Sequence, residues 1–115
     1  LFRSAVLLHF LDKPVSGIYN CGTGRAQPFN DVALSVINSL RHFNNEPELS
    51  LQDAVDCGEL EYIPFPEALK GKYQAFTEAN LTQLRHGGCD VRFRTVQEGT
   101  RDYMEYLLKT FPRVE

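Results

Sequence analysis

The chain has 115 residues, a hydrophobic fraction of 43% and a formal net charge of −3. This length fits one domain or part of one, and the hydrophobic fraction is well above that of disordered chains. Acidic and basic residues are interspersed without a basic stripe, which argues against nucleic-acid binding, and no apolar run approaches the ~20 residues that cross a membrane.

The N-terminal residues, the cysteines and the histidines indicate what kind of protein this is. The first dozen residues lack the charged front end and cleavage site of a signal peptide, and the chain does not begin with Met, so we expect a fragment of a longer polypeptide. The cysteines and histidines are widely spaced, with no C-x-x-C pair, so we predict neither a metal site nor a disulfide framework. We expect free thiols in the reducing cytoplasm. The cysteines are Cys21, Cys57 and Cys89.

The first predicted elements are a helix, a strand and a turn. Residues 2–11 are dense in apolar side chains and predict a helix that ends before Pro14. Residues 15–21 contain Ile and Tyr between glycines, which predicts a strand. The segment 22–26, G-T-G-R-A, follows the strand and leads into a helix. It is either an anion-binding nest or a tight structural turn, because Gln27 stands where the dinucleotide fingerprint requires a third glycine.

The second helix has the clearest pattern in the chain. Pro28 suits its first position, and its apolar residues recur at spacings of three and four, which predicts one buried stripe that belongs to the core. The stripe consists of Phe29, Val32, Ala33, Val36, Ile37 and Leu40. The acidic segment 46–58 has weak periodicity and is predicted to be a surface excursion with at most one short helical turn.

The segment 60–77 combines apolar, basic and hydroxyl groups. Residues 60–63 predict a short strand that is ended by the following prolines. In the next loop, two lysines flank Gly71 and precede Tyr73. Two ammonium groups and a phenol could hold a diphosphate, while glycine allows close approach of the backbone. A solvated basic loop with anchored aromatic side chains is the alternative interpretation.

The last third of the chain carries three helix signals. Thr77 predicts the cap of a helix with Glu78 in its first turn, and the glycine pair at 87–88 predicts its end. Thr95 and Glu98 form a capping-box pattern that opens the final helix. The predicted inner face of this helix consists of Val96, Gly99, Tyr103, Leu107 and Phe111.

Four motifs together resemble the C-terminal portion of one enzyme family. They are G-I-Y-N-C-G-T-G at 17–24, E-Y-I-P-F-P at 61–66, L-K-G-K-Y-Q-A-F-T at 69–77 and T-V-Q-E-G-T-R-D-Y-M at 95–104. The glycine turn and the last helix are common among extended short-chain dehydrogenase/reductases. The second and third motifs are more specific and resemble those of ADP-L-glycero-D-manno-heptose 6-epimerases. The resemblance covers nearly the whole chain.

This resemblance implies a role in an NADP-dependent isomerase of lipopolysaccharide precursor synthesis, which oxidises a heptose carbon transiently and returns the hydride to the opposite face. In the family, an N-terminal Rossmann domain carries the glycine-rich cofactor fingerprint and a Tyr-x-x-x-Lys pair. The present sequence contains neither motif. The expected fold class is therefore α/β, the C-terminal substrate-binding part of such an enzyme, with few short strands and about four helices. The expected single domain is 1–115, with 1–24 packing on the cofactor domain.

One substrate contact of the family carries over to a matching position, Tyr73. Lys72 and Gln74 flank it as further candidates, and no catalytic or cofactor-binding residue is expected here. The implied partners are ADP-heptose, the Rossmann domain of the same polypeptide and further copies in a homo-oligomer. Another nucleotide-sugar epimerase or dehydratase, or a noncatalytic ligand-binding or interaction module, remains an alternative.

Overall fold

Five α-helices organise the computed structural model, which describes residues 2–74 and 76–111. They are α1 Phe2–Asp12, α2 Phe29–Phe43, α3 Leu51–Asp56, α4 Thr82–His86 and α5 Val96–Thr110, and a single 3-10 turn lies at Glu67–Leu69. By their contacts the residues form two units. The first unit is Leu1–Ala26 with Gln74–Arg94, and the second unit is Gln27–Tyr73 with Thr95–Glu115. None of the described helices is both long and apolar enough to cross a membrane.

The predicted α/β fold class is wrong, because residues 2–74 and 76–111 contain no β-strand. Both predicted strands, 15–21 and 60–63, are irregular segments. Strands are stabilised by the amide and carbonyl bonds of a neighbouring strand, whereas the polar groups here bond locally. The Leu60 amide donates to Ala54 O at 2.9 Å, and the Tyr19 hydroxyl donates to Val15 O at 3.0 Å. Both segments carry β-forming residues, but they have no partner strand among the described residues.

The first unit is built around a small apolar core between α1, α4 and the segment after α4. Its buried residues are Val6, Leu84, Cys89 and Phe93. Phe10 and Tyr19 stack at 4.3 Å between ring centroids and pack against this core. The Arg85 guanidinium donates to Val91 O at 3.1 Å and lies 5.8 Å from the centre of the Phe93 ring. These contacts hold the chain after α4 against the helix.

In the second unit, α2 packs against α5 and α3. The apolar stripe predicted for the core is only partly covered. Ala33, Ile37 and Leu40 are half-buried, whereas Phe29, Val32 and Val36 are exposed. On the other side of α2, the Asn38 amide group donates to Leu49 O at 3.0 Å and accepts from Leu49 N at 2.9 Å. This pair fixes the chain just before α3.

Two capping boxes define helix starts in the second unit. At α5 the predicted box is confirmed, because Thr95 Oγ1 accepts from Glu98 N at 3.2 Å and Glu98 Oε2 accepts from Thr95 N at 2.9 Å. A second box at α3, between Ser50 and Asp53, was not predicted. Hydrogen bonds from the Ser50 side chain and then from its backbone lower the pKa of the Asp53 carboxyl. The predicted inner face of α5 is wrong in part, since Tyr103 and Phe111 are exposed.

The start of α4 differs from the prediction. The helix begins at Thr82, not near Thr77, and the side chain of Asn80 accepts from the Thr82 amide at 2.9 Å. An Asn side chain that bonds the backbone two residues later forms a turn that competes with helix. The helix ends as predicted, with Gly87 as its cap and Gly88 at a φ of 77°.

Candidate functional site

Three aromatic rings meet on the surface of the second unit. The ring centroids of Phe65 and Tyr73 are 5.7 Å apart in an edge arrangement, and those of Phe29 and Tyr73 are 6.5 Å apart with a tilt of 47°. Tyr73 is 50% exposed and Phe29 is 74% exposed. We call Phe29, Phe65 and Tyr73 the aromatic cluster. It presents ring surface to solvent together with the Tyr73 hydroxyl, which has no hydrogen-bond partner among the described residues.

Local chain chemistry explains how these rings come together. Phe29 is the first residue of α2, directly after Pro28 in an extended conformation. Phe65 stands between two prolines, which disfavour helix and sheet at that point, and Pro66 precedes the 3-10 turn. Gly71 then adopts a φ of 71°, which glycine accepts readily. The chain thereby returns Tyr73 to the start of α2.

Lys72, which precedes Tyr73 in the chain, carries a positive charge. Its side chain is exposed and has no ion-pair or hydrogen-bond partner among the residues the structure describes. Lys70, two positions earlier, is paired with Glu67 on the same loop. The two lysines that look equivalent in the sequence therefore differ, since the charge of Lys70 is already balanced and that of Lys72 is available for an anion.

Gln74, the third predicted site residue, is exposed, and the boundary between the two units falls between Tyr73 and Gln74. Its side chain forms no hydrogen bond with a described residue. The structure thus places Tyr73 and Lys72 in one unit with the aromatic cluster and gives no contact that connects Gln74 to it.

Two members of the aromatic cluster were missed from the sequence. Phe29 was assigned to the core stripe because its spacing fits the pattern, although a residue in the first turn of a helix often lies beyond the surface that the helix buries. Phe65 was passed over as part of a strand end. Its position between prolines was a usable signal, because a large ring held in an irregular segment has no sheet to pack in.

The glycine turn at 22–26 was the other candidate for anion binding. Here two of the backbone amides are already in use. Arg25 N donates to Thr23 Oγ1 at 3.2 Å, and Ala26 N donates to the Glu78 carboxylate at 2.9 Å. A carboxylate of the same unit thus already accepts from the amide at the end of the turn. These bonds favour the tight-turn interpretation.

Gly24 tests this structural role of the turn. We expect Gly24→Ala to lower the free energy of unfolding by about 2 kcal/mol, because its φ is 69° and a Cβ would lie 3.0 Å from Leu81 Cδ1. Gly58→Ala is the matched control, since Gly58 has a φ of 78° with nothing within 4 Å. It should cost only about 1 kcal/mol. Equal losses in urea denaturation would show that the Leu81 contact is unimportant.

A polar cleft of about 220 Å³ lies between α2 and α5 in the second unit. Its amides are largely engaged, because Asn38 bonds Leu49 and Gln97 accepts from Gln27 at 3.0 Å. Its charged residues carry both signs, and no Phe or Tyr ring lines it. They are Asp31, Glu48 and Arg101. The cleft therefore selects no ligand charge, and the aromatic cluster is the stronger candidate site.

The described part of the chain contains no group of three or more His, Cys, Asp or Glu side chains that could hold a metal ion. The aromatic cluster offers ring faces and a phenol, and Lys72 precedes Tyr73 in the chain. Groups of these kinds suit binding of an aromatic ligand that carries negative charge. No protein-family model matches this chain.

Proposed function

We propose that this chain is the substrate-binding part of an NADP-dependent nucleotide-sugar epimerase that converts ADP-D-glycero-D-manno-heptose to ADP-L-glycero-D-manno-heptose, a precursor of the lipopolysaccharide core. The observation that supports the proposal is that Tyr73 is half-exposed and that Lys72, the residue before it, has no side-chain partner among the described residues. Both stand in the motif at 69–77, which resembles that of the heptose epimerases.

The chemistry of the ligand fits the groups present. A nucleoside diphosphate joins an aromatic base to two negatively charged phosphates. The Tyr73 hydroxyl can donate to a phosphate oxygen, and the Lys72 ammonium can balance charge without first breaking an ion pair. The exposed ring of Phe29 offers a face on which a base can stack. Binding of this kind holds the sugar in place for a reaction carried out elsewhere.

The remaining chemistry belongs to the rest of the proposed enzyme. Transient oxidation of the sugar carbon and return of the hydride are the chemistry that bound NADP supplies. The present sequence has no Tyr-x-x-x-Lys pair and no glycine fingerprint, so we expect the 115-residue chain alone to be inactive and not to retain NADP. The proposal includes a homo-oligomeric enzyme in the cytoplasm, and the free thiols of Cys21, Cys57 and Cys89 are compatible with a reducing compartment.

Two other functions fit the same surface. A related epimerase or dehydratase would use a different nucleotide sugar, and a noncatalytic module would bind a ligand without turnover. An assay of the full-length protein with ADP-heptose, UDP-hexoses and dTDP-hexoses distinguishes them. Epimerisation of ADP-heptose with at least tenfold preference supports the proposal. Preference for another nucleotide sugar, or binding without turnover, would replace it with the corresponding alternative.

The contrast between the two lysines gives a prediction for the full-length protein. We expect Lys72→Gln to raise the Kd for ADP-heptose about 3- to 10-fold, because it removes an exposed charge next to the diphosphate. Lys70→Gln is the matched control and should change the Kd less than twofold, since Lys70 is paired with Glu67. Titration calorimetry at low and high salt measures both, and the Lys72 effect should shrink with salt. Equal effects of the two variants would remove Lys72 from the site.

A further inference from the structure

The residues that flank the segment 63–72 both contact the first turn of α2. At one end, Asn30 Nδ2 donates to the Tyr62 hydroxyl at 2.8 Å. At the other end, the ring of Tyr73 lies 6.5 Å from that of Phe29, the neighbour of Asn30. Two adjacent residues of α2 therefore hold both ends of the segment. A surface loop of this length with its ends held close together is an Ω-loop, a type of loop that is often functional.

Between these two anchors, local turns and the contact of the Phe65 ring with Tyr73 hold the loop. Its backbone bonds are local turns, with Leu69 N donating to Pro66 O at 3.0 Å and Lys72 N donating to Leu69 O at 3.1 Å. Every residue from 63 to 72 is exposed, and a Cβ on Gly71 would meet nothing within 4 Å. A segment with few buried contacts opens at low free-energy cost. The loop can therefore move as one piece about its neck.

Charge places the ligand at the neck and not at the tip. Near the tip, Glu67 balances Lys70. Next to the neck, the Lys72 side chain has no partner among the residues described, and Lys72 directly precedes Tyr73 in the chain. A diphosphate held by these two residues would lie at the base of the loop.

We propose that the loop 63–72 is a lid that closes over the diphosphate of the nucleotide sugar, and that Asn30 is a positioning residue that fixes the hinge through Tyr62. This inference rests on the function proposed above. Asn30 acts through the hydroxyl of Tyr62, so it affects binding by setting the positions of Lys72 and Tyr73. Loss of the hinge bond leaves the loop free to sample open positions, which reduces the fraction of protein ready to bind.

Limited proteolysis of the full-length protein tests the lid. Trypsin cleaves after lysine, and both Lys70 and Lys72 are exposed. Trypsin also cleaves after arginine, and Arg25 is exposed and followed by Ala26. We expect saturating ADP-heptose to slow cleavage after Lys70 and Lys72 at least tenfold, while cleavage after Arg25 is unchanged. If ADP-heptose binds but cleavage at 70 and 72 is not slowed, the lid is overturned while the proposed function stands. If ADP-heptose does not bind, the proposed function fails first.

Kinetics of hinge variants test Asn30. We expect Asn30→Ala and Tyr62→Phe each to raise KM roughly three- to tenfold with kcat unchanged, and the double variant to be no worse than either single one. A merely structural role would lower kcat through loss of active protein. Tyr62→Phe removes one oxygen atom, so it keeps the test valid if Asn30→Ala fails to fold. Tyr106→Phe, at an exposed tyrosine of α5, is the control. Unchanged KM in Tyr62→Phe, or additive effects in the double variant, would overturn the hinge.

Discussion

Tyr73→Phe should weaken binding of ADP-heptose to the full-length protein about 10- to 100-fold. The substitution removes only the hydroxyl, and a hydrogen bond to a charged group contributes about 1.5–3 kcal/mol. The ring contacts of Tyr73 with Phe29 and Phe65 do not involve the hydroxyl, so the aromatic cluster should remain in place. Titration calorimetry gives the change in Kd directly.

Two comparisons make this result specific to the site. Tyr103→Phe alters a tyrosine of similar exposure on α5 and should leave the Kd within twofold of the wild type. The thermal midpoint of Tyr73→Phe should also match the wild type, because the phenol is half-exposed and has no hydrogen-bond partner among the described residues. An unchanged Kd in Tyr73→Phe would remove Tyr73 from the binding site.

Leu84→Ala should have the largest effect on stability. Leu84 is fully buried and packs in the core of the first unit with Val6, Cys89 and Phe93. Truncation of a buried leucine removes apolar contacts and leaves a cavity, which costs about 2–5 kcal/mol. Since the free energy of unfolding of small domains is only about 5–15 kcal/mol, the first unit should lose much of its stability. Urea denaturation followed by circular dichroism measures the loss.

An exposed leucine provides the matched control for that experiment. Leu11 lies on α1 and is 79% exposed, so Leu11→Ala should change the free energy of unfolding by less than about 0.5 kcal/mol. A similar loss in both variants would mean that Leu84 is not in a close-packed interior. A loss below 1 kcal/mol in Leu84→Ala alone would contradict the core described for the first unit.

Sequence reasoning succeeded where short-range chemistry decides the structure. The capping box of Thr95 and Glu98 and the glycine end of α4 follow from groups within a few residues of one another, and both were predicted. The box of Ser50 and Asp53 had the same spacing but an aspartate in place of glutamate, and the weak periodicity of 46–58 hid it.

Prediction from the sequence failed where contacts between distant parts of the chain determine the structure. Residues 15–21 and 60–63 carry strand-forming side chains, but sheet formation depends on a partner strand that local sequence does not reveal. Glu78 was read as a helix-start residue, whereas its carboxylate accepts from the amide of Ala26, which is 52 positions away. That bond, together with the Asn80 turn, accounts for the late start of α4.

The candidate site shows the same division. Tyr73 and Lys72 were predicted from their motif and stay predictions, and the difference between Lys72 and Lys70 depends on the ion pair of Lys70 with Glu67. The contribution of Phe29 depends on a loop that returns to α2 some 44 positions later. No periodicity argument could have found that contact.

A crystal structure of the full-length protein with ADP-heptose would show whether Tyr73 and Lys72 hold the ligand. We expect a phosphate oxygen within about 2.5–3.0 Å of the Tyr73 hydroxyl, with the Lys72 ammonium within about 4 Å of the diphosphate. A bound nucleotide sugar that touches neither Tyr73 nor Lys72 would contradict it.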